Sequence, residues 1–335
     1  MSFSERLVAA WFSPALTPLS VLLAPAALAF RAATNVRRSL YRHGLLRIER
    51  LPVPVIVVGN ITVGGSGKTP LTIALATELA ARGWHPGIVS RGYRGTSRAP
   101  RAVGADDDDD AEVVGDEPLL LARTGLPVWI GADRPAAARK LLAAHPDRDL
   151  IIADDGLQHY ALARDIEIAV IDASRGLGNG LPLPAGPLRE PAARLGAVDA
   201  IVNLGGTGDA RREFAMTLTG ERFVRVNDSS VSTDAAPFRS GEVHAIAGIG
   251  DPSRFFAQLS ALGIAAHCHP FPDHHRYVAA DLALPGATAI LMTEKDAVKC
   301  ERFADDRCWA LPVRATVEPA LIALVERGLR GRKTA

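Results

Sequence analysis

The sequence predicts an α/β protein: a mainly parallel sheet with covering helices, an apolar helix near the N-terminus, and a second, smaller α/β unit. Three observations predict it. From Leu51 onward, short β-branched runs alternate with helical patterns, and such alternation builds a parallel sheet with ligands at the carboxyl ends of its strands. Between the first run and the first helical pattern lies a glycine-rich stretch, Thr62 to Thr69. Near the start, the chain passes from Arg6 to Arg31 without a charged residue.

The bulk numbers set limits on function. A chain of 335 residues, 48% of them apolar, is long enough for two ordinary domains with a sizeable core, which excludes global disorder. A formal net charge of +1 supplies no overall field for nucleic acid. No basic stripe with interleaved aromatics occurs outside the N-terminal flank, so no nucleic-acid partner is expected. The cysteines, Cys268, Cys300 and Cys308, are odd in number and lack CxxC spacing. That pattern argues against a disulfide scaffold or a cysteine zinc site and favours a reducing compartment.

The uncharged stretch contains Trp11, Phe12, Leu16, Leu22, Leu28 and Phe30, and about 20 apolar residues let a helix cross a bilayer. Pro14, Pro18 and Pro25 interrupt it, so a bent or interfacial segment competes with a straight span. Arg31, Arg37, Arg38, Arg42, Arg47 and Arg50 follow; such a flank stays cytoplasmic and meets anionic headgroups. The same arginines oppose reading Ala27-Leu28-Ala29 as a signal-peptide cleavage site. Residues 1–50 are therefore expected to form a membrane-associating segment, with a buried core helix as the alternative.

Beyond it, Val53 to Val58 reads as a buried strand, and Lys68 to Arg82 as a helix with Leu71, Leu75 and Leu79 on one face. Further strands are expected at 87–90, 127–130, 150–153, 166–171 and 200–203, with helices at 117–123 and 134–144. Gly205-Gly206-Thr207-Gly208 forms a flexible break. It divides a domain over 51–210 from a smaller α/β unit over 211–335, with strands at 222–226, 243–247, 289–292 and 309–312 and helices at 252–262 and 318–327. Asp106 to Asp110 is an acidic run, expected to be a solvated loop because five adjacent carboxylates cannot all point at one ion.

Thr62, Val63, Gly64, Gly65, Ser66, Gly67, Lys68 and Thr69 follow a buried strand and open a helix, the context that a Walker A phosphate loop requires. The larger sheet is then of the P-loop NTPase type. Glycines turn backbone N–H groups inward around phosphates, and the helix N-terminus adds partial positive charge. Lys68 is expected to reach the β- and γ-phosphates of ATP, and the Thr69 hydroxyl to hold Mg²⁺. The usual pattern begins with glycine, where Thr62 stands here. Leu150 to Asp155 reads as an apolar strand ending in two acids, the Walker B form, so Asp154 or Asp155 is a candidate metal ligand. The competing reading is that the pair caps the next turn.

An alcohol acceptor must also lose its proton. Asp116, in Gly115-Asp116-Glu117-Pro118, is a candidate base and equally a natural helix N-cap. Phe271 to Tyr277 is a histidine-bearing loop in the second unit, expected either to reach the cleft of the first or to carry surface histidines. His267, Cys268 and His269 lie just before it, but their spacing lacks a further partner at zinc separations. Arg189, in Pro187-Leu188-Arg189-Glu190, is suited to clamp phosphate oxygens or to pair with a surface acid.

Taken together, these segments resemble the tetraacyldisaccharide 4′-kinase (lipid A 4′-kinase) family over nearly the whole chain. The resemblance rests on Val58-Gly59-Asn60-Ile61-Thr62 and the loop after it, Ser90-Arg91-Gly92-Tyr93, Val114 to Pro118, Asp154-Asp155-Gly156-Leu157-Gln158-His159 and Pro184 to Glu190. In the second unit it includes Ala247-Gly248-Ile249-Gly250, Asp273-His274-His275 and Thr293-Glu294-Lys295-Asp296. It implies transfer of the ATP γ-phosphate to the 4′-hydroxyl of a tetraacylated glucosamine disaccharide 1-phosphate. It also implies attachment to the cytoplasmic face of the bacterial inner membrane; no obligate protein partner is inferred. Asp116 then looks like the catalytic carboxylate, paired with His274 rather than His275 after closure about a hinge near the boundary. Asp154, Asp155, Gln158, His159, Arg189 and Glu190 look like the remaining polar lining, with Glu190 a possible Mg²⁺ partner. A Thr at position 62 matches the family's own pattern. The rival readings are a membrane-associated regulatory P-loop ATPase, for which the early second lysine is missing, and a nucleotide-gated membrane-binding module without chemistry.

Overall fold

The computed structural model describes residues 3–93, 95–97, 99–104, 109–209 and 211–333. The chain opens with two helices, α1 (Phe3–Trp11) and α2 (Pro18–Arg42). The start of α2 is set locally. Thr17 is the N-cap, its hydroxyl accepting the Ser20 N–H at 3.2 Å, and Pro18 takes the first turn, where a missing N–H costs nothing. Of the three prolines expected to interrupt the segment, Pro14 lies in the α1–α2 link and Pro18 at the helix start; Pro25 alone is inside α2. At 25 residues, α2 is long and apolar enough to cross a membrane by length and composition, and Val21, Leu22 and Leu28 are each at least 60% exposed. Its N-terminal end is docked nonetheless. Asn179 Nδ2 donates to Ala10 O and Ser20 Oγ, and Trp11 Nε1 donates to Pro184 O at 2.8 Å.

The larger sheet is built from β1 (Val55–Gly59), α3 (Lys68–Ala81), β2 (Pro86–Ser90), β3 (Arg101–Ala102), α4 (Asp116–Ala122), β4 (Val128–Ile130), α5 (Arg134–Ala144), β5 (Leu150–Asp154), β6 (Ile166–Asp172), β7 (Ala200–Leu204) and β8 (Glu213–Thr219). The smaller one follows, with β9 (Phe223–Arg225), β10 (Ser232–Thr233), β11 (Val243–Ala247), α6 (Pro252–Ala261), β12 (His267–Pro270), β13 (Ala289–Thr293), α7 (Glu294–Cys300) and β14 (Cys308–Leu311). The chain ends with β15 (Arg314–Val317) and α8 (Pro319–Lys333). Among the described residues the strand orders are β15-β8-β7-β6-β1-β5-β2-β4-β3 and β10-β9-β14-β13-β11-β12. β1 is parallel to both its neighbours, β5 on one side and β6 on the other, which places the strand-order reversal at its carboxyl end.

The β-branched run of β1 has a simple cause. Ile56 and Val58 pack into the core under α3, with Leu71, Leu75 and Leu79, whereas Val55 and Val57 pack on the opposite face with Ile151, Ala153 and Leu157. Both faces are covered, so no position tolerates a polar side chain.

Several elements depart from the sequence reading. Strands β3, β8, β10, β12 and β15 and helices α1 and α7 have no counterpart in it. In β8, buried Phe214 and Met216 alternate with exposed Glu213 and Thr217, a half-buried pattern directly after glycines that read as a boundary. Helix α7 is only seven residues long, too short for its periodicity to stand out. The chain leaves the larger sheet after Thr219 and returns at Arg314, so the smaller sheet is an insertion between β8 and β15. Helix α8, expected with the second unit, packs Leu321, Ile322, Val325 and Leu329 into the core of the first. Of the acidic run, Asp106, Asp107 and Asp108 lie outside the described residues. Asp109 pairs with Arg101, and Asp110 Oδ1 accepts the Glu112 and Val113 N–H groups.

Leu75 is fully buried beneath β1. Leu75→Ala is expected to cost about 2–5 kcal/mol through lost transfer energy and the cavity left behind, read as a lowered urea midpoint at unchanged slope.

Candidate active site

The strand–loop–helix at β1–α3 builds a cradle for phosphates. Gly64 and Gly67 both have positive φ, 101° and 84°. At Gly67 a side chain is excluded twice over, because a Cβ would also lie 3.0 Å from Leu204 Cδ2 and Met216 Cε. Asn60 Nδ2 donates to Ser66 Oγ at 2.9 Å across the base of the loop. The segment before Glu190 runs alongside, with Val63 N donating to Pro187 O and Arg189 N donating to Ile61 O.

Lys68 and Thr69 open α3, each only 7% exposed, and face the end of β5. Thr69 Oγ1 lies 3.4 Å from Asp154 Oδ2, Thr72 Oγ1 donates to Asp154 Oδ1 at 2.8 Å, and Lys68 Nζ is 3.9 Å from Asp155 Oδ1. Burial, joined by the like charge of Glu117, pushes the Asp154 carboxyl up to about 7 despite the Thr72 hydrogen bond. The charge of Lys68 also favours the anion, but burial outweighs it. Burial would raise Asp155 as well, but Lys68 and Arg189 outweigh it and hold that carboxyl below the ordinary range. A hydroxyl and two carboxylates, one of them buried and under-compensated, are a donor set that fits a hard divalent cation.

The other expected lining residues divide into two groups. Arg189 binds Asp155, its Nη1 lying 3.1 and 3.0 Å from the two carboxylate oxygens. Gln158 Nε2 donates to Asn60 O and to Glu190 Oε2, tying the loop base to Glu190. Glu190, expected as a possible metal partner, is engaged by protein donors on both oxygens: Gln158 on Oε2 and the Tyr160 hydroxyl on Oε1, with Arg194 nearby at 3.8 Å. It braces the loop. His159 lies towards α5, its Nε2 facing the Arg134 N–H at 3.4 Å. Burial, together with the charges of Arg134 and Arg164, lowers its imidazole to about 4 and keeps it neutral.

Across the cleft, the loop after β12 brings His274 to the first turn of α4. His274 Nδ1 is 2.8 Å from Asp116 Oδ2, whereas His275 turns away to bond Asp281 at 3.0 Å. Asp116 is not the N-cap that position suggested; Gly115 takes that place without a side-chain bond, and Asp116 Oδ1 accepts the Glu117 N–H. Burial alone would raise the Asp116 carboxyl. The hydrogen bond from His274 and the charge of Lys295 overcome it and hold the group at about 2. His274 and Asp155 are the non-glycine residues with positive φ among those described, 59° and 48°, and such strained backbone clusters at functional sites.

Two cavities flank this pair. The larger, about 600 Å³, lies between the sheets and is lined by Gly65, Lys68, Thr69, Glu117, Phe255 and Lys295 among others. The smaller, about 280 Å³, is lined by Tyr93, Asp116, His274, Lys299 and Arg302 among others. Sequence reasoning on single residues passed over Thr72, Arg134 and Lys295. Thr72 had a signal, since it lies one helical turn beyond Thr69. Arg134 did not: it is 2% exposed, and its guanidinium holds the Asp154 and Gly131 carbonyls. His267 and His269 sit on the edge strand β12, where they meet Glu242 and His244.

The family model described as tetraacyldisaccharide-1-P 4′-kinase matches residues 19–330. The tetraacyldisaccharide 4′-kinase of Azoarcus sp. is 52% identical over 325 residues, covering 95% of this chain and 94% of that one. That of Dechloromonas aromatica is 53% identical over 297 residues, covering 87% and 88%. Among solved structures, the "apo" form LpxK of Aquifex aeolicus in complex with ATP superposes with a TM-score of 0.79 at 30% identity, covering 93% of this chain and 99% of that one. With a match across almost all of its length and relatives above half identity, the chain belongs to the tetraacyldisaccharide 4′-kinase family.

Proposed function

We propose that this chain transfers the γ-phosphate of ATP to the 4′-hydroxyl of a tetraacylated glucosamine disaccharide 1-phosphate, at a membrane surface facing the cytoplasm. The observation that carries the reading is the 2.8 Å contact between Asp116 and His274 beside a complete phosphate loop. The larger cavity takes the nucleotide, with the loop amides and Lys68 on its β- and γ-phosphates. Thr69, Asp154 and Asp155 would hold Mg²⁺, which would supply positive charge to the phosphate oxygens; Glu190 keeps its bracing role. Asp116 faces the acceptor from the smaller cavity.

In the transfer, the sugar O–H bond breaks and its proton passes to Asp116, giving a carboxylic acid. The sugar oxygen forms a bond to the γ-phosphorus as the bond from that phosphorus to the β-phosphate oxygen breaks, leaving ADP. A carboxylate held at about 2 is a weak base towards a free alcohol. The proton therefore moves late, once bond formation to phosphorus has made the alcohol acidic. His274 keeps Asp116 ionised and oriented.

The two sheets serve as separate bodies in this scheme. The chain crosses between them at Gly220 and at Pro312–Val313, and a Cβ on Gly220 would lie 2.5 Å from Pro312 O. The crossings abut, so a hinge there moves both together. Helix α2, with its exposed leucines and the arginines that follow, holds the enzyme against anionic lipid, where the acceptor's acyl chains reside.

Loss of a general base costs about 10²–10⁴-fold in rate. Asp116→Ala is expected to lower kcat by that order while ATP affinity, read by equilibrium titration, changes little; parental turnover would end the assignment of the base. His274→Ala removes a lowering influence on Asp116 and leaves burial, which raises it. The acid limb of the kcat/KM profile should therefore move to higher pH in that variant, and an unmoved limb would separate His274 from the base. Replacing Leu22 and Leu28 together by Asp should weaken co-sedimentation with acidic phospholipid vesicles while kcat on detergent-dispersed acceptor is retained. Equal sedimentation of parent and variant would remove the membrane role of α2.

A further inference from the structure

Lys295 stands where the two cavities meet. It is the second residue of α7, lines the larger cavity with Lys68, and reaches the Asp116–His274 pair that lines the smaller one. Its Nζ lies 3.4 Å from His274 Nε2, 3.8 Å from Asp116 Oδ2, 3.7 Å from Glu117 Oε1 and 3.7 Å from Asp273 Oδ1. An ammonium group carries only donors. A hydrogen bond from it to His274 Nε2, which also lies 3.8 Å from Asp273 Oδ2, forms only when that nitrogen carries a lone pair, leaving the ring proton on Nδ1, pointing at Asp116.

Both side chains are held in one frame. Asp296 is fully buried, and its Oδ2 accepts the Gly248 N–H at 3.1 Å and the Thr293 hydroxyl at 2.6 Å. Gly248 O in turn accepts the His274 N–H at 3.0 Å. The start of α7 and the strained His274 backbone are thereby fixed to the same glycine. Position 295 cannot drift from the imidazole without breaking this frame.

We propose that Lys295 is a positioning residue of the phosphotransfer site: it selects the Nδ1–H tautomer of His274, so that the imidazole donates to Asp116, and presents its ammonium charge to the nucleotide side. The inference rests on the phosphotransfer reading above. The smaller sheet thus contributes a Lys–His pair to Asp116, and the cavity containing Lys68 gains a further cation besides Arg254. The charged and titratable groups facing Lys295 are Asp116 and Glu117 from α4, Asp273 and His274 from the loop after β12, and Asp296 from its own helix. Together the carboxylates outweigh burial and keep the amine protonated.

The test uses the full chain in detergent with ¹⁵N-labelled histidine. At neutral pH the His274 Nε2 resonance, assigned by its loss in His274→Ala, should show the shift of an unprotonated nitrogen and Nδ1 that of a protonated one. A protonated Nε2 would overturn the proposal. In Lys295→Met the tautomer ratio should change, kcat should fall by about 10–10²-fold with a smaller change in KM for ATP, and the acid limb should move to higher pH because a cation beside Asp116 is gone. Lys295→Arg, which keeps a donor and a charge, should recover part of the loss. A folded Lys295→Met protein with parental kcat, pH profile and tautomer sinks the inference, and so does a defect confined to thermal stability. Lys68→Met and Asp116→Asn run alongside. If they too retain activity, the phosphotransfer site itself is misassigned; if they lose it while Lys295→Met does not, only the role of Lys295 fails.

Discussion

A hydrogen bond of 2.8 Å between Asp116 and His274 joins side chains 158 positions apart in the chain and belonging to different sheets. Its formation requires that α4 present an acid at the carboxyl edge of the larger sheet. It also requires that the smaller sheet, inserted between β8 and β15, turn the loop after its edge strand back over that edge. The His274 backbone accepts a left-handed conformation to do so, at a cost of order 1–3 kcal/mol that the surrounding contacts must offset. The frame of Gly248, Thr293 and Asp296 is what over-determines it.

The other half of the site follows from burial. Asp154 lies at the end of a strand covered on both faces, with no exposure, and its hydrogen-bond donors are hydroxyls rather than cations. Asp155, one residue on, turns outward through a left-handed backbone and is compensated by Lys68 and Arg189. Two adjacent carboxylates are thus driven in opposite directions by their surroundings. At the inner one, next to the phosphate loop, burial outweighs the charge of Lys68, and a divalent ion there would suit both the protein and a nucleotide.

Around these centres, the loop from Asn179 to Glu190 links the N-terminal helices to the phosphate loop. Asn179 holds Ala10 and Ser20, Trp11 reaches Pro184, and Pro187 and Arg189 bond Val63 and Ile61. The apolar segment and the proposed nucleotide site are therefore parts of one hydrogen-bonded unit, which is consistent with a reaction whose acceptor carries acyl chains and whose donor is soluble.

The sequence by itself determined whatever short-range chemistry specifies. The glycines and Lys68-Thr69 after a β-branched run define the phosphate loop, because only that backbone can turn its amides inward. The Thr17–Pro18 start of α2, the parallel sheet and most of its strands are equally local, since each depends on periodicity, capping or two-sided burial. The blocks around Asp116 and Asp273-His274-His275 were visible as a family resemblance, but position alone made Asp116 a helix cap. Only the tertiary structure decided what depends on distant partners. It brought His274 rather than His275 to Asp116, closed Glu190 with Tyr160 and Gln158, returned β15 and α8 to the first sheet, and set Lys295 between four acids and an imidazole. A residue's spacing along the chain fixes its direction within an element. The charge it meets is fixed by how the two sheets close on one another.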